Sequence, residues 1–202
     1  MAMTSNQRNT AVLLGSSGVT VFLSIAWLGI AGVSDDSISL LLRLSARVAY
    51  VLLLIVFVAR PLSLLFKSPG TAKLLRNRRL VGIAFAGVHI AHFGLLVYKH
   101  NVAPDFALEI GANHLGVLTY IVIFAMLVTS WDRTARAVGP KAWKVLHKAG
   151  LYVLFGAFAN TQLPRSLDDL ENANWWLLAL IAIALIIRLT AFFVRRAKAQ
   201  PQ

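Results

Sequence analysis

The sequence contains no cysteine and few acids: its 202 residues include 8 Asp plus Glu against 20 Lys plus Arg. Without a thiol there can be no disulfide, iron–sulfur cluster, thiolate zinc site or cysteine nucleophile. Any redox chemistry must therefore use a histidine-ligated metal or haem, or a bound organic cofactor. Charged residues as a whole are also scarce, at 14% of the chain, and 58% of the residues are hydrophobic. Because soluble domains are about a quarter charged and less than half apolar, the composition indicates a membrane protein.

Motifs of nucleotide and hydrolytic sites are also missing from the sequence. There is no GxGxxG after a strand, no phosphate loop, no HExxH and no nucleophile–base–acid constellation. A membrane chain of this kind would therefore need a reductase partner to act as part of an enzyme. No acid within a helix completes a zinc or copper site.

Six apolar stretches have the roughly 20 residues that a helix needs to cross the hydrocarbon core. They predict a single all-α domain over residues 1–202, folded as a six-transmembrane-helix bundle with short loops. The predicted helices are 11–31, 40–59, 79–98, 112–130, 146–163 and 174–194. The first is expected to remain as a span rather than to be cleaved as a secretory signal, because its apolar stretch exceeds an ordinary signal core.

The basic residues alternate from loop to loop, which predicts the orientation of the bundle. Sixteen of the twenty Lys and Arg lie in the amino terminus, the second and fourth loops and the carboxyl tail, with Asp132 as their single acid. The opposite loops hold four basic residues and seven acids. Because Lys and Arg accumulate in cytoplasmic loops, both termini are predicted to be cytoplasmic in a bacterial inner membrane. The positive charge thus reflects topology and contact with membrane lipid, and it does not indicate nucleic acid.

Proline and glycine mark the predicted helix ends. Pro61 and the Pro69–Gly70 pair are expected to end the second helix and separate it from the third. Gly139 and Pro140 predict a turn in the fourth loop.

The five histidines are the candidate ligands for a redox cofactor, because an ionisable residue within a span is a functional hypothesis by default. His89 and His92 lie three residues apart on the third helix and belong in its outer half, and His114 begins the fourth helix at a similar depth. His147 lies at the cytoplasmic end of the fifth helix. Imidazole is a good axial ligand for haem iron. The alternative is that these histidines are interfacial or form hydrogen bonds between helices.

Several arginines are candidates to hold the acidic groups of a cofactor. Arg43 and Arg47 lie four residues apart at the outer end of the second helix and so face the same way. They could snorkel to the interface, bind a lipid or a quinone, or pair with haem propionates. Arg79 and its neighbours could determine topology or pair with propionates at the cytoplasmic end.

Two motifs carry a resemblance to a known family. RRLVGIAFAGVHIAHF at 78–93 and LVTSWDRTARAVGPKAWKVLHKAGLYVL at 127–154 resemble the ferric-reductase-like transmembrane domain. Within that family, the pattern is most similar to that of the haem-binding membrane subunit of bacterial periplasmic methionine sulfoxide reductase. The matching residues are Arg78, Arg79, Leu80, Gly82, His92, Thr129, Ser130, Asp132, Arg136, Gly139, Trp143, Leu146 and His147.

The resemblance implies a haem b protein that carries electrons from a cytoplasmic or quinone donor to an acceptor on the outer side. It would be the electron-transfer subunit of an oxidoreductase, partnered by a reductase, a periplasmic acceptor subunit or a larger membrane complex. His92 and His147 would be iron ligands, but the opposing family positions are Asn160 and Arg79 here. His89 or His114 could join His92, or His147 could hold an inner haem, giving one or two haems. The alternative is a haemless accessory or assembly subunit. A transporter is disfavoured because the acids lie outside the spans.

Overall fold

The computed structural model describes residues 3–102, 114–168 and 174–198, and within them all regular structure is helical. This confirms the predicted all-α class. Each predicted span falls within one helix or at its edge, although the first residues of 112–130 lie outside the described ranges. The helices are α1 (Ser5–Ala31), α2 (Asp35–Leu65), α3 (Pro69–Val102), α4 (His114–Val128), α5 (Asp132–Val138), α6 (Pro140–Asp168) and α7 (Trp175–Ala197).

Length and composition support several membrane crossings. Among the described residues, α1, α2, α3 and α7 are each long and apolar enough to span a membrane. The pair of α4 and α5 adds a fifth crossing if it is one broken span, and its two helices meet at 106°. The 29-residue α6 is not in this group; three lysines lie among its first nine residues, and it carries Asn160, Thr161 and Gln162 further on. The chain is therefore a multi-pass membrane protein, and the sixth crossing stays a prediction.

The prediction that Pro61 ends the second helix is wrong, because α2 continues through it to Leu65. Proline lacks an N–H, so the carbonyl of Phe57, four residues earlier, loses its partner within the helix. Arg188 of α7 supplies the replacement: its Nη1 donates to that carbonyl at 2.8 Å. A helix interior tolerates proline within a membrane when a neighbouring helix satisfies the freed group in this way.

The core is built around α2, which contacts α1, α3, α6 and α7. Its buried side chains include Tyr50, Leu53 and Phe57, each at most 2% exposed. Phe57 stacks on Phe155 of α6, with ring centroids 4.2 Å apart. The core therefore holds together the helices that carry the candidate ligands.

Helix α1 lies against α3 at a glycine. A Cβ added to Gly87 would lie 2.9 Å from the carbonyl oxygen of Leu13 and would also collide with the hydroxyl of Ser16. Such small residues allow the backbones of two membrane helices to approach closely. Most other side chains of α1 are exposed, so this contact is central to its docking.

The predicted turn at Gly139 and Pro140 is confirmed. Gly139 follows the last residue of α5 and has a φ of 83°, and Pro140 is the first residue of α6. Proline suits the first helical position because its fixed φ is already helical and its missing N–H has no partner there. This turn directs α6 back into the bundle and so places His147 beside α4.

Candidate functional site

The structure places the histidines at two levels of the bundle. His89 and His92 lie on α3, one turn apart, and His147 lies on α6, one to two turns after its start. His114 is the first residue of α4 and is exposed. No group of three or more histidine and acidic side chains in the described ranges is arranged to hold a metal ion. A small cluster of the zinc or copper type is therefore not seen there.

His92 is held by a serine on the neighbouring helix. Its Nδ1 lies 2.8 Å from the hydroxyl oxygen of Ser45 on α2. The Ser45 hydroxyl donates its own proton to the backbone carbonyls of Leu41 and Leu42, at 2.8 and 3.1 Å. Because that hydroxyl has one proton and the carbonyls can only accept, this network favours the tautomer in which His92 Nδ1 donates to Ser45. The lone pair then lies on Nε2, and a metal-ligating histidine is oriented through its other nitrogen in the same way.

His89 is the most buried histidine, with 5% of its surface exposed. Its ring stacks on that of His92 with centroids 5.3 Å apart and planes 24° from parallel. Two axial ligands of one iron must point their nitrogens at each other from opposite faces of the macrocycle, which stacked rings on one helix do not do. In this arrangement His89 and His92 are therefore not an axial pair.

The surroundings of His89 contain polar atoms without partners. Its Nδ1 and the hydroxyls of Tyr50 and Tyr120 are buried and make no hydrogen bond within the described ranges. The ring of Tyr120 lies 5.1 Å from that of His89, and Phe158 lies between His89 and Tyr50, stacking on the latter at 5.1 Å. A buried polar group without a partner costs free energy, and natural structures usually pair it with protein, water or ligand. This outer cluster (Tyr50, His89, His92, Tyr120) thus has the unpaired polar atoms expected where a polar cofactor docks.

His147 is engaged differently at the inner level. Its Nε2 lies 3.0 Å from the hydroxyl of Thr129, the residue that follows α4, and this hydroxyl donates its proton to the carbonyl of Ala125 at 2.7 Å. By the same reasoning as for Ser45, Nε2 is the donor and the lone pair is on Nδ1. The indole of Trp143 stacks on the ring at 4.2 Å. His147 therefore does not offer Nε2 to a ligand in this conformation.

Arg79 occupies the position opposite His147 at which the family resemblance implies an imidazole. Its Nη1 donates to Asp132 at 2.8 Å, and its Nη2 donates to the carbonyl of Ser130. Asn9 donates to that same carbonyl at 3.1 Å. The hydrogen bonds of the guanidinium thus connect α3 to the bend between α4 and α5. Among the described residues, the inner level has no second imidazole.

Asp132 accepts hydrogen bonds from both Arg79 and Ser5, and it lies outside the predicted spans. Hydrogen bonds from Ser5 and Arg79 hold the pKa of the carboxyl below its ordinary value of 3.8. A lowered pKa means that the carboxylate stabilises the fold above 3.8 and that this contribution is lost as the pH falls through the lowered pKa.

Asp132→Asn is therefore expected to reduce the thermal midpoint by a few degrees at neutral pH, because the ion pair with Arg79 is lost. The difference from wild type should shrink as the pH falls below 3.8. Thermal unfolding in detergent across that pH range measures both effects. A difference in thermal midpoint that stays constant down to the lowest pH would contradict the stabilising role of the Asp132 carboxylate.

A cavity of about 820 Å³ lies at the inner level between α2, α3, α4, α6 and α7. Its volume falls within the range of small-molecule sites. His147 and Trp143 line it from α6, and aromatic side chains such as Phe57 and Phe85 line its deeper part. Eight basic residues also line it: Arg60, Arg76, Arg78, Arg79, Lys144, Lys148, Arg188 and Arg195.

The arginines at the outer end of α2 have different surroundings. Arg47 donates from Nη2 to the amide oxygen of Asn174 at 2.7 Å, which ties α2 to the start of α7. Arg43 is exposed. Arg47 therefore has a structural partner, and Arg43 is free to reach the interface as a snorkelling residue does.

Sequence reasoning missed Ser45, Tyr50 and Tyr120, and it identified Thr129 as a motif residue without its contact to His147. A serine or threonine within an apolar helix gives no signal of which histidine it will meet. Arg188 does give a signal, because it lies inside the apolar stretch of α7, although its charge also fits the basic carboxyl tail.

Comparison with known proteins identifies a family. Residues 45–159 match the model described as the ferric reductase like transmembrane component. The curated relatives include the protein-methionine-sulfoxide reductase heme-binding subunit MsrQ of Salmonella paratyphi B, Salmonella newport and Salmonella heidelberg. Each is 31% identical over an alignment 136 residues long, which covers 62% of this chain and 66% of the relative. The chain thus spans just under two thirds of the length of these relatives. No solved structure matches it.

Proposed function

The chain belongs to the ferric reductase-like transmembrane family, and from that premise we propose that it carries electrons across a bacterial inner membrane through one haem b at the outer level. His92 would be an axial ligand of the iron through Nε2. The observation that carries this proposal is the hydrogen bond from His92 Nδ1 to Ser45. It sets the tautomer and the orientation that iron ligation requires before any cofactor is bound.

The outer cluster supports the same assignment. Nδ1 of His89 and the hydroxyls of Tyr50 and Tyr120 are buried without hydrogen-bond partners in the described part of the chain, and the polar groups of a haem would give them a partner. His89 would lie beside the macrocycle rather than opposite His92, because the two rings stack. Bound haem would supply one-electron redox chemistry, while these residues hold the ligand and exclude water.

The proposed topology has six spans with both termini cytoplasmic. The basic residues at the start of α3 and around α5 would then lie inside, and the inner cavity would open towards them. Electrons would pass from a cytoplasmic or quinone donor at this basic face to an acceptor at the outer face. Basic side chains at the entry suit an acidic partner such as a reductase domain.

The relatives' name describes a heme-binding subunit of a protein-methionine-sulfoxide reductase. By analogy we propose that this chain works with a separate protein that accepts its electrons on the outer side. The alternative is a haemless accessory subunit. It is supported by the inner level, where hydrogen bonds with Thr129 and Asp132 already occupy His147 Nε2 and Arg79.

Reduced-minus-oxidised absorbance separates the two functions. The full chain is expressed in haem-replete cells, purified in mild detergent and reduced with dithionite. We expect a Soret band and an alpha band from a b-type haem. Folded protein without either band would overturn the electron-transfer proposal and leave the accessory role.

Ser45→Ala tests how His92 is positioned. Removing the hydroxyl leaves the Nδ1–H of His92 without that acceptor, and loss of such a partner typically lowers affinity about 10–100-fold. We expect weaker haem binding and a shifted midpoint potential, both measured by redox titration of the absorbance bands. Ser24→Ala is the control, since that buried serine on α1 donates only to the carbonyl of Thr20 among the bonds seen. Equal potentials in the Ser45→Ala variant and wild type would contradict the positioning role.

A further inference from the structure

The strong iron ligands of the chain can be counted, because it has no cysteine and all five of its histidines lie within the described ranges. Two of the three methionines are among the first three residues, just before the start of α1 at the inner level. The third, Met126, packs its sulfur against Gly150 of α6. Gly150 is three residues after His147 and so belongs to the inner level as well. A haem held by His92 thus has no sulfur ligand at its own level.

The other histidines near the outer level do not lie opposite His92. His89 stacks on it from the same helix. His100 is eight residues further along that helix, which is a rise of about 12 Å. His114 is exposed at the first residue of α4. None of these rings is placed to approach the same iron from the second face of a macrocycle.

The two positions singled out on α6 do not supply the missing imidazole either. His147 contacts Thr129, and the carbonyl of the next residue accepts from Arg79. Thirteen residues of α3 separate Arg79 from His92, a rise of about 20 Å, so His147 cannot reach the same iron. Asn160 is exposed, and its amide is a weak ligand for haem iron. Iron held by His92 is therefore left without a second imidazole.

The polar groups beside the outer histidines are suited to contact a small ligand rather than to hold iron. The hydroxyls of Tyr50 and Tyr120 are buried and have no hydrogen-bond partner in the described part of the chain. The ring of Tyr120 lies 5.1 Å from that of His89 and 4.9 Å from that of Phe93. A phenol hydroxyl can donate a hydrogen bond, and in haem pockets such donors decide how a diatomic ligand is held.

A path from the lipid reaches this group of side chains. Phe93, which packs on Tyr120, is 47% exposed on a helix that the bundle presents to the membrane. A small neutral molecule dissolves in hydrocarbon, so it can arrive at Phe93 without crossing a charged surface. The outer cluster is therefore within one aromatic ring of a source of such molecules.

We propose, on the basis of the outer haem proposed above, that the iron held by His92 keeps one coordination position open. This position would take a small neutral ligand of the carbon monoxide or dioxygen type, with Tyr120 as the hydrogen-bond donor to it. A haem with two imidazole ligands has no position left for such a molecule. The chain would thus bind a diatomic gas in addition to carrying electrons.

Carbon monoxide binding to the reduced full chain tests the open position. Membranes from haem-replete cells and the protein purified from them are reduced with dithionite, and absorbance is recorded before and after carbon monoxide is added. Membranes of the same cells without the chain are subtracted, and a cytochrome b with two histidine ligands is the control. We expect the Soret band of the chain to sharpen and move to shorter wavelength in both samples, and the control to stay unchanged.

The outcomes separate this proposal from the electron-transfer proposal. Bound haem whose reduced spectrum does not respond to carbon monoxide would overturn the open position and leave electron transfer standing. Absence of haem would overturn both. A response confined to the detergent-purified protein would also overturn the open position, because it would show that extraction had displaced a native ligand.

Tyr120→Phe tests the hydrogen-bond donor, and Tyr98→Phe is the matched control, since Tyr98 lies on α3 and is 38% exposed. A donor draws electron density towards the oxygen of bound carbon monoxide and so weakens the C–O bond. We expect the C–O stretching frequency, measured by infrared spectroscopy, to rise in Tyr120→Phe and to stay unchanged in Tyr98→Phe. The same frequency in Tyr120→Phe and wild type would overturn the role of Tyr120.

Discussion

His92→Ala should remove haem from the purified protein. Loss of a partner that merely orients a ligand costs about 10–100-fold in affinity, so loss of the ligand itself should cost more. We expect the Soret absorbance per protein to fall to background, because the hydrogen bond at Nδ1 of His92 presents its Nε2 for iron ligation. Absorbance after purification from haem-replete cells measures the effect.

Two histidine variants serve as controls for this result. His114 is exposed at the start of α4, and His147 has its Nε2 engaged by Thr129. His114→Ala and His147→Ala are therefore expected to retain the outer haem. Full haem content in the His92→Ala variant would contradict the assignment, whereas loss only in the His147→Ala variant would move the haem to the inner level.

Gly87→Val should separate α1 from the rest of the bundle. The carbonyl of Leu13 would lie 2.9 Å from the new Cβ, and it cannot move without α1 because it belongs to the helix backbone. Overpacking of this kind lowers the free energy of unfolding by about 1–3 kcal/mol. Because the new side chain would meet backbone, we expect a value at the upper end of that range. We expect a large drop in folded yield and in the thermal midpoint in detergent.

Gly94→Val on the same helix is the matched control. A Cβ at Gly94 meets no atom within 4 Å, and valine has a better helix propensity than glycine. The control should therefore fold as well as wild type. Equal behaviour of the two variants would show that α1 does not pack against α3 at Gly87.

The fold was largely predictable because apolar length and turn residues act locally. The apolar stretches correctly predicted α2, α3 and α7, and Gly139 with Pro140 predicted the turn before α6. The helix end expected at Pro61 is wrong because α2 can continue only when Arg188 donates to the Phe57 carbonyl. Arg188 lies 131 positions after Phe57 in the sequence. The 106° bend that separates α5 from α4 was not predicted either, since it rests on tertiary contacts made by Arg79 and Asn9.

The candidate site was predictable in its residues and not in its geometry. The spacing of His89 and His92 placed them on one part of α3, and the family resemblance singled out His92 and His147. What distinguishes these two histidines is the nitrogen that each hydrogen bond leaves free. Ser45 is 47 positions from His92 and Thr129 is 18 from His147, so only folding brings each pair together.

The number of haems per chain tests the central claim most directly. The full chain is purified from haem-replete cells, and its haem is quantified as the pyridine haemochrome against protein concentration. One haem b held by His92 predicts a ratio of about one, because the inner level lacks a second imidazole and has His147 Nε2 engaged. A ratio of zero in folded protein would contradict a haem-bearing electron carrier, and a ratio of two would contradict the single outer site.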